Sequence, residues 1–306
     1  MQILTPDSRG IKRAAEILRR GGLVAFPTET VYGLGCDAFN ESAVRRVFEV
    51  KRRPPSKPLI IGVADRDEVY ELAEVNSVGE KLMKLFFPGP LTLVFRKKDV
   101  IPDVVTGGSE KVAVRMPDHE IPLKLIETLR KPVVVPSANI TGRPSPTDYT
   151  HVVEDLGDRI DAVITGECRV GIESTIVDVT VSPAKILRVG AVRVDELRKH
   201  VDVVVEQHPI SEYRTTCPVY LFVGENVEER IQEMIREAKI RGMKVATITR
   251  KDLGEDVEKY SSNIFAAIRR AESTKPDLII IEGPSEEHEG LMDRLYRLAG
   301  ERVIRV

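Results

Sequence analysis

The chain has 306 residues, of which 42% are hydrophobic and 31% are charged, and its formal net charge is −2. This composition is typical of a folded globular protein and excludes a disordered chain, while the length favours two domains. The near-neutral charge removes the simplest argument for a nucleic-acid-binding protein, which is an overall basic chain, although it is compatible with a local basic patch.

The cysteine and histidine content predicts no metal site and no disulfide framework. Cys36, Cys168 and Cys217 lie far apart and include no CxxC pair, which fits a reducing compartment. The five histidines show no metal-ligand spacing. The amino terminus lacks an apolar core of signal-peptide length, and no apolar run approaches the roughly 20 residues that span a bilayer. We therefore expect a cytoplasmic protein without a membrane segment.

The first part of the chain alternates between helical and extended patterns. Apolar residues at Ile11, Ala14, Ala15 and Leu18 predict a helix that ends at Gly21-Gly22. Asn40 is expected to cap a second helix, which runs to about residue 50. Short strands are predicted over residues 23–26, 59–63, 91–95, 112–114, 133–135, 162–165, 175–179 and 186–189. Because several strands lie close together in sequence, we expect an α/β fold with a sheet of mixed direction.

The pattern changes after residue 188. A short helix over 194–200 and a β-branched run over 201–205 are followed by a polar segment with two prolines. Beyond it, strands over 219–223, 245–248 and 278–281 alternate with helices near 225–241, 261–272 and 290–298, which predicts a smaller Rossmann-like α/β domain. The predicted organisation is a first domain over 1–206, a linker over 207–218 and a second domain over 219–306. The second domain has neither GxGxxG nor GxxxxGK[ST], so its fold alone assigns it no nucleotide.

Three polar residues directly follow predicted strands. These are Thr28, Arg115 and Ser137. Since ligands of open α/β sheets gather at strand ends, the three side chains are candidates for one pocket. An arginine there suits a carboxylate, because its guanidinium donates two parallel hydrogen bonds. The alternative is that polar residues simply resume where strands end.

Two further segments carry groups that suit a nucleotide. The stretch Lys51-Arg52-Arg53-Pro54-Pro55-Ser56-Lys57 places four cations where a triphosphate could be neutralised. The alternatives are a solvated helix end and a patch for RNA phosphates. Ser137-Ala138-Asn139 supplies a hydroxyl and a carboxamide that could contact an adenine edge or a phosphate, or could form a turn and a cap. Glu173-Ser174-Thr175 begins a predicted strand. A contact between these residues and a ligand is as strongly expected as the alternative, in which they are simply polar residues at the start of a strand.

Taken together, these segments resemble the YrdC-like threonylcarbamoyl-AMP synthases in their long, two-domain form. Phe26-Pro27-Thr28-Glu29-Thr30-Val31-Tyr32-Gly33-Leu34-Gly35 is similar to the family's opening signature, and Lys51 and Arg53 with Ser137 and Asn139 match its paired motif. The remaining blocks lie at residues 88–92, 112–117, 144–147, 173–176 and 187–188. The resemblance covers roughly residues 10 to 200 in order. It implies a twisted mixed sheet with flanking helices, and the second domain resembles the family's carboxy-terminal extension.

The resemblance implies a reaction in which L-threonine, bicarbonate or CO₂, and ATP give L-threonylcarbamoyladenylate and pyrophosphate. The product would pass to a transferase complex that modifies tRNA. Threonine would be held by Thr28, Arg115, Ser137 and Ser174, with Arg115 on its carboxylate. Lys51 and Arg53 would act on the phosphates as the catalytic pair. Mg²⁺ would travel with ATP rather than occupy a protein site. The remaining nucleotide contacts would come from Thr106, Asn139, Ser145, Arg188 and Tyr213.

The sequence departs from the family pattern at three places. Gly62 stands where a histidine is frequent, and Val189 replaces the proline of a Leu-Arg-Pro-Gly block. The linker segment 209–218 keeps Tyr213 and its flanking prolines but has Thr215 and Thr216 in place of a histidine and a tyrosine. Two alternatives to the synthase remain. The altered linker would suit a degenerate regulatory paralogue, and the cations Lys51 and Arg53 beside Arg45, Arg46 and Lys57 would suit a non-catalytic RNA-binding module.

Overall fold

The computed structural model describes residues 1–206, 213–286 and 288–306. Its strands are β1 (Gln2–Leu4), β2 (Val24–Phe26), β3 (Gly33–Asp37), β4 (Ile60–Gly62), β5 (Ala73–Glu74), β6 (Leu91–Lys97), β7 (Lys111–Arg115), β8 (Val133–Val134), β9 (Ala162–Ile164), β10 (Thr175–Asp178), β11 (Ala184–Arg188), β12 (Val203–Val205), β13 (Val219–Val223), β14 (Val245–Ile248), β15 (Leu278–Glu282) and β16 (Val303–Arg305). Its α-helices are α1 (Ser8–Arg19), α2 (Glu41–Lys51), α3 (Asp67–Leu72), α4 (Ser77–Phe86), α5 (Asp103–Thr106), α6 (Glu120–Leu129), α7 (Tyr149–Leu156), α8 (Val194–Arg198), α9 (Glu228–Ile240), α10 (Arg250–Leu253), α11 (Val257–Ser273) and α12 (Glu289–Ala299).

The first sheet is mixed, as the sequence predicts. Its strand order is β1-β9-β2-β3-β8-β4-β7-β6-β10-β11-β12, with β5 added beside β6. Helix α1 buries the predicted stripe that includes Ile11, Ala14 and Leu18. Helix α2 begins at Asn40, whose side chain accepts a hydrogen bond from the Ala43 amide at 3.1 Å, as predicted. The helix ends at the buried Lys51, and the following residue, Arg52, has a left-handed backbone conformation.

Strand β3 was not among the predicted strands, because its sequence Gly-Leu-Gly-Cys-Asp resembles a turn. Its glycines are required by close packing rather than by a bend. A Cβ on Gly33 would lie 2.6 Å from Val135, and a Cβ on Gly35 would lie 2.5 Å from Phe26. All of β3 is buried between β2 and β8, so burial overrides weak strand propensity here. The short strands β1, β5 and β16 were missed as well.

The second sheet is parallel, with the order β14-β15-β13-β16. Alternate residues of its strands face two separate cores. Phe222 and Ile280 pack with Ile231 of α9 on one face, while Leu221 and Ile279 join the core that contains α11 and α12 on the other. The predicted helix–strand alternation is confirmed, and helices cover both faces of this smaller sheet.

The two sheets are joined by close backbone contact. A Cβ on Gly290, in α12, would lie 2.2 Å from the carbonyl oxygen of Gly190, and one on Gly171 would lie 2.3 Å from the carbonyl oxygen of Ser261. Ile172 of the first part of the chain is buried in the core of the second. The predicted domain limits at 206 and 219 stay predictions, since residues 207–212 of the predicted linker lie outside the described residues. No helix in the described part of the chain is long and apolar enough to cross a membrane.

Candidate functional site

Two adjoining cavities open beside the central strands of the first sheet. The smaller, of about 80 Å³, is lined by all four predicted threonine-binding residues, Thr28, Arg115, Ser137 and Ser174. The larger, of about 680 Å³, is lined by Lys51, Arg53, Asn139, Ser145, Arg188 and Tyr213. Thr106 is buried at the end of α5 and lines neither cavity. The predicted residues therefore separate into two sets with a common wall, which includes Arg53, Ser137, Glu173 and Arg188.

The three strand-end residues meet, but not because their strands end at one edge. Strand β4 is parallel to β7 and antiparallel to β8, so Arg115 and Ser137 follow strands that end at opposite edges. The loop after β2 brings the two together. Its Thr30 hydroxyl accepts a hydrogen bond from Arg115 at 2.9 Å, while Gly33 forms a bridge with Ser137. The expected pocket exists, and a loop rather than a strand edge builds it.

Arg115 is buried and already has a counter-ion. Its guanidinium lies 2.7 Å from the Glu29 carboxylate and donates to the Gly89 carbonyl oxygen at 3.3 Å. Glu29 is buried behind it, and neither of its carboxylate oxygens has a geometrically satisfactory hydrogen bond. A buried ion pair of this kind fixes the arginine in place and neutralises it at rest. Glu29 and Thr30 were not predicted as site residues, although both lie in the opening signature.

Ser174 and Arg188 form the wall opposite. The Arg188 guanidinium donates to the Ser174 carbonyl oxygen at 3.0 and 2.9 Å and to its hydroxyl at 3.0 Å. The Ser174 hydroxyl also contacts that of Thr92 at 2.8 Å. Burial lowers the pKa of Arg188 to about 10, which leaves it charged at neutral pH. One fixed cation thus borders both cavities.

Lys51 anchors the Ser137–Asn139 segment from beneath. Its side chain is only 2% exposed, and its ammonium donates to the carbonyl oxygens of Ser137 and, at 2.7 Å, Asn139. Burial, with a contribution from the charge of Arg53, lowers the pKa of Lys51 to about 7. The pairing of the two motifs thus has a direct structural basis, because the lysine of one fixes the backbone of the other.

The cationic stretch does not form one exposed patch, which the RNA-binding alternative would favour. Arg45 pairs with Glu41, Arg46 pairs with Asp161, and Lys51 is buried. The Arg53 guanidinium donates hydrogen bonds to the carbonyl oxygens of Lys57 and Pro58 at 3.1 and 2.8 Å. Burial lowers the pKa of Arg53. Lys51, Arg53 and Lys57 line the larger cavity, whereas Arg45 and Arg46 are paired on the surface outside it.

Two polar atoms in the larger cavity lack partners within the described residues. They are the Asn139 Oδ1 atom and the Thr141 hydroxyl, both buried. The Asn139 amide nitrogen is held by the Arg143 and Ile140 carbonyl oxygens at 2.7 and 3.1 Å, so the side chain is fixed with its acceptor unused. Because buried polar atoms are normally hydrogen-bonded, this pair indicates where a polar ligand would supply the missing contacts.

Glu173 is the central carboxylate of the larger cavity. It accepts hydrogen bonds from the Ser145 hydroxyl at 2.5 Å and from Arg294 Nε, in the second domain, at 2.6 Å. Although burial opposes its ionisation, the charges of Arg294 and Arg188 hold the pKa of Glu173 at about 2. The sequence pointed to the Glu173-Ser174-Thr175 segment but gave Glu173 itself no role, and it gave none to Arg294 and Arg297, which line the same cavity. Arg294 and Arg297 carry no local signal, because charges spaced three apart on α12 are equally typical of a solvated face.

The described residues contain no group of three or more histidine, cysteine, aspartate or glutamate side chains that could hold a metal ion. Of the described residues that line the larger cavity, Glu173 is the one acidic residue, and its carboxylate oxygens already accept hydrogen bonds from Arg294 and Ser145. This donor set does not fit a resident divalent cation, which prefers several oxygen ligands.

Comparisons with known proteins show the family to which the chain belongs. The family model for Sua5/YciO/YrdC proteins, described as "Telomere recombination", matches residues 16–190, and the model described as "Threonylcarbamoyl-AMP synthase, C-terminal domain" matches residues 194–300. The chain belongs to the Sua5/YciO/YrdC family. It is 43% identical to a threonylcarbamoyl-AMP synthase of Pyrococcus abyssi, over 97% of this chain and 96% of that protein. A Bacillus subtilis threonylcarbamoyl-AMP synthase is 36% identical over 99% and 96%.

A solved structure extends this family assignment to the whole fold. The crystal structure of P. abyssi Sua5 complexed with L-threonine superposes with a TM-score of 0.94 at 40% identity, covering 100% of each chain. The similarity therefore includes the second domain and the way it sits on the first, and the long, two-domain form is confirmed.

Proposed function

We propose that this protein is an L-threonylcarbamoyladenylate synthase, which makes threonylcarbamoyl-AMP and pyrophosphate from L-threonine, bicarbonate or CO₂, and ATP. The observation that carries this proposal is the division of the cleft. A small cavity next to a buried arginine adjoins a large cavity whose described walls include seven cationic side chains and one carboxylate. That charge balance suits a triphosphate, and the full-length relatives are named for this activity.

In the small cavity, Arg115 would hold the carboxylate of threonine, with the hydroxyls of Thr28, Ser137 and Ser174 around the ligand. The amine would then point toward the larger cavity. There it would capture CO₂ as a carbamate and lose one proton. Since Arg115 is fixed by Glu29 before the ligand arrives, little reorganisation is needed on binding.

In the large cavity, a carbamate oxygen would attack the α-phosphorus of ATP, and the bond to pyrophosphate would break. No covalent enzyme intermediate is needed. Lys51, Arg53 and Arg188 would neutralise the charge that develops on the phosphate oxygens, because they lie on the wall between the two cavities or next to it. Asn139 and Ser145 would fix the nucleotide, and Mg²⁺ would enter as part of the MgATP substrate.

The product would be consumed in the cytoplasm by a transferase that modifies tRNA. The decisive assay is pyrophosphate release from ATP by the purified protein. We expect release only when both threonine and bicarbonate are present. Robust release without threonine would contradict the proposal. Growth of a synthase-deficient strain carrying this chain would exclude the degenerate-paralogue alternative.

The threonine assignment is tested separately with Arg115→Ala. We expect the threonine affinity to fall at least roughly tenfold, because a charge-assisted bidentate contact is lost, while ATP-analogue affinity changes little. Lys111→Ala is a matched control, because Lys111 lies on the same strand and its side chain pairs with Asp178 outside both cavities. Unchanged threonine binding in Arg115→Ala would remove Arg115 from the site.

A further inference from the structure

The second domain contributes to the wall of the larger cavity. Arg294 and Arg297, both on α12, line it together with the first-domain residues that would hold ATP. Arg294 is almost completely buried at this junction. A long cationic side chain is buried this deeply only when it is paired.

The contacts of Arg294 lead from the second domain to the nucleotide residues. Its Nε donates to Glu173 Oε2 at 2.6 Å, and its Nη2 donates to the Val189 carbonyl oxygen at 3.1 Å. The other carboxylate oxygen of Glu173 accepts from the Ser145 hydroxyl at 2.5 Å and lies 3.5 Å from the Tyr213 hydroxyl. One carboxylate therefore connects α12 to two of the side chains predicted to hold ATP.

Tyr213 is fixed from the same side. Its amide donates to the Arg297 carbonyl oxygen at 2.9 Å, and its ring packs edge-to-face on Phe265 of α11 at 5.7 Å between centroids. The amide of its neighbour Arg214 donates a hydrogen bond at 2.7 Å to the carbonyl oxygen of Gly142, which lines the larger cavity. The second domain thus sets the position of Tyr213 through backbone and ring contacts, and Glu173 binds its hydroxyl.

We propose that Arg294 is a positioning residue for ATP, which acts from the second domain by holding Glu173 so that Ser145 and Tyr213 face the nucleotide. This proposal deepens the proposed function and rests on it. Without Arg294, the Glu173 carboxylate would stay buried, with Arg188 as the other arginine whose charge favours its ionisation. It would then gain a proton more readily and no longer fix Ser145 and Tyr213, which line the larger cavity but not the smaller one.

The test uses the full-length protein with Arg294→Met, which keeps much of the apolar stem and removes the charge. We expect the affinity for a non-hydrolysable ATP analogue, measured by calorimetry, to fall at least roughly tenfold, while threonine affinity stays within about threefold. Arg236→Ala, an exposed arginine on α9, should leave both affinities unchanged. Equal losses for both ligands, or no loss of analogue affinity, would overturn the proposal.

A pH profile separates positioning from general stabilisation. The pKa of Glu173, about 2 with Arg294 present, should rise in Arg294→Met. Analogue affinity of that variant should therefore fall as the pH is lowered toward 5, whereas the unaltered protein shows no such loss. The double variant Glu173→Gln/Arg294→Met has no titratable group at position 173, so it should lose this pH dependence and keep, at every pH, the low affinity that Arg294→Met shows near pH 5. If the affinity of the double variant still fell as the pH was lowered toward 5, the role of Glu173 would be refuted.

Further measurements distinguish a failure of the positioning role from misfolding of the variant and from a failure of the proposed function. If Arg294→Met does not fold, Glu173→Gln alone tests the same connection, and it should weaken the ATP analogue selectively. Unchanged analogue binding in Glu173→Gln would overturn the proposal. Because these are binding measurements, they remain valid if the unaltered protein binds the analogue but releases no pyrophosphate. That result would refute the proposed function and leave the positioning role standing.

Discussion

Lys51 offers a sharp test of how the larger cavity handles charge. Its ammonium is buried, it donates to two backbone carbonyl oxygens, and its pKa lies at about 7 because burial and Arg53 disfavour the charged form. A triphosphate bound in the same cavity would favour the charged form and raise this pKa. We therefore predict that ATP binding is accompanied by proton uptake at Lys51.

The size of the uptake follows from the pKa. With a pKa of about 7, roughly a quarter of the Lys51 amines carry the proton at pH 7.5, so full protonation on binding takes up about 0.75 proton per site. At pH 6 the unliganded amine is already about 90% protonated, and the uptake should fall to about 0.1. The predicted sign and pH dependence are those of a buried amine whose charge is restored by an anion.

Calorimetric titration of an ATP analogue with Mg²⁺, in buffers of different ionisation enthalpy, measures this uptake directly. The Lys51→Met variant should lose it, and the difference from the unaltered protein cancels any protonation of the nucleotide itself. Lys57→Met is the matched control, because Lys57 is an exposed lysine on the same cavity. Its removal should weaken binding but preserve the uptake. Equal uptake in the Lys51→Met variant and the unaltered protein would refute the reasoning.

The remaining predictions concern the contact between the two domains. Arg269 and Asp155 are both buried, with 2.8 Å between Nη2 and Oδ2, so Arg269→Ala should lower the free energy of unfolding by about 3–5 kcal/mol in urea denaturation. Arg270 is exposed next to Arg269, and Arg270→Ala should change the free energy of unfolding by no more than about 0.5 kcal/mol. Equal losses of stability in the two variants would contradict the buried ion pair. Gly290→Ala places a Cβ 2.2 Å from the Gly190 carbonyl oxygen and should cost about 1–3 kcal/mol in the same assay. An unchanged stability would show that the backbones do not approach there.

Much of the fold could be predicted from the sequence because its signals are local. The Asn40 cap, the apolar stripe of α1 and the strand–helix alternation after residue 218 each depend on a few neighbouring residues. Strand β3 could not be predicted in this way. Its glycines are present because Val135 and Phe26 approach its backbone closely, and that approach is a property of the assembled sheet.

The residues of the candidate site also divide into those with a local sequence signal and those that depend on the assembled fold. Strand ends, the cationic stretch and the family blocks pointed to residues that line the two cavities, with Thr106 as the exception. Their partners were not predictable. The pairing of Arg115 with Glu29, and of Glu173 with Arg294, depends on loop closure and domain contact. Neither can be inferred from spacing along one chain, since the second pair joins residues 121 positions apart.

The second domain explains how a carboxylate can stand in a cavity suited to a triphosphate. An unpaired Glu173 would repel the ligand, and neutralisation by protonation would remove the acceptor that orients Ser145. Arg294 resolves both problems, because the buried ion pair is neutral as a unit and keeps the carboxylate ionised with its other oxygen on Ser145. The carboxylate can then serve as a fixed acceptor inside a cationic site. In the proposed ATP site, the second domain therefore supplies the counter-ion that keeps this carboxylate ionised.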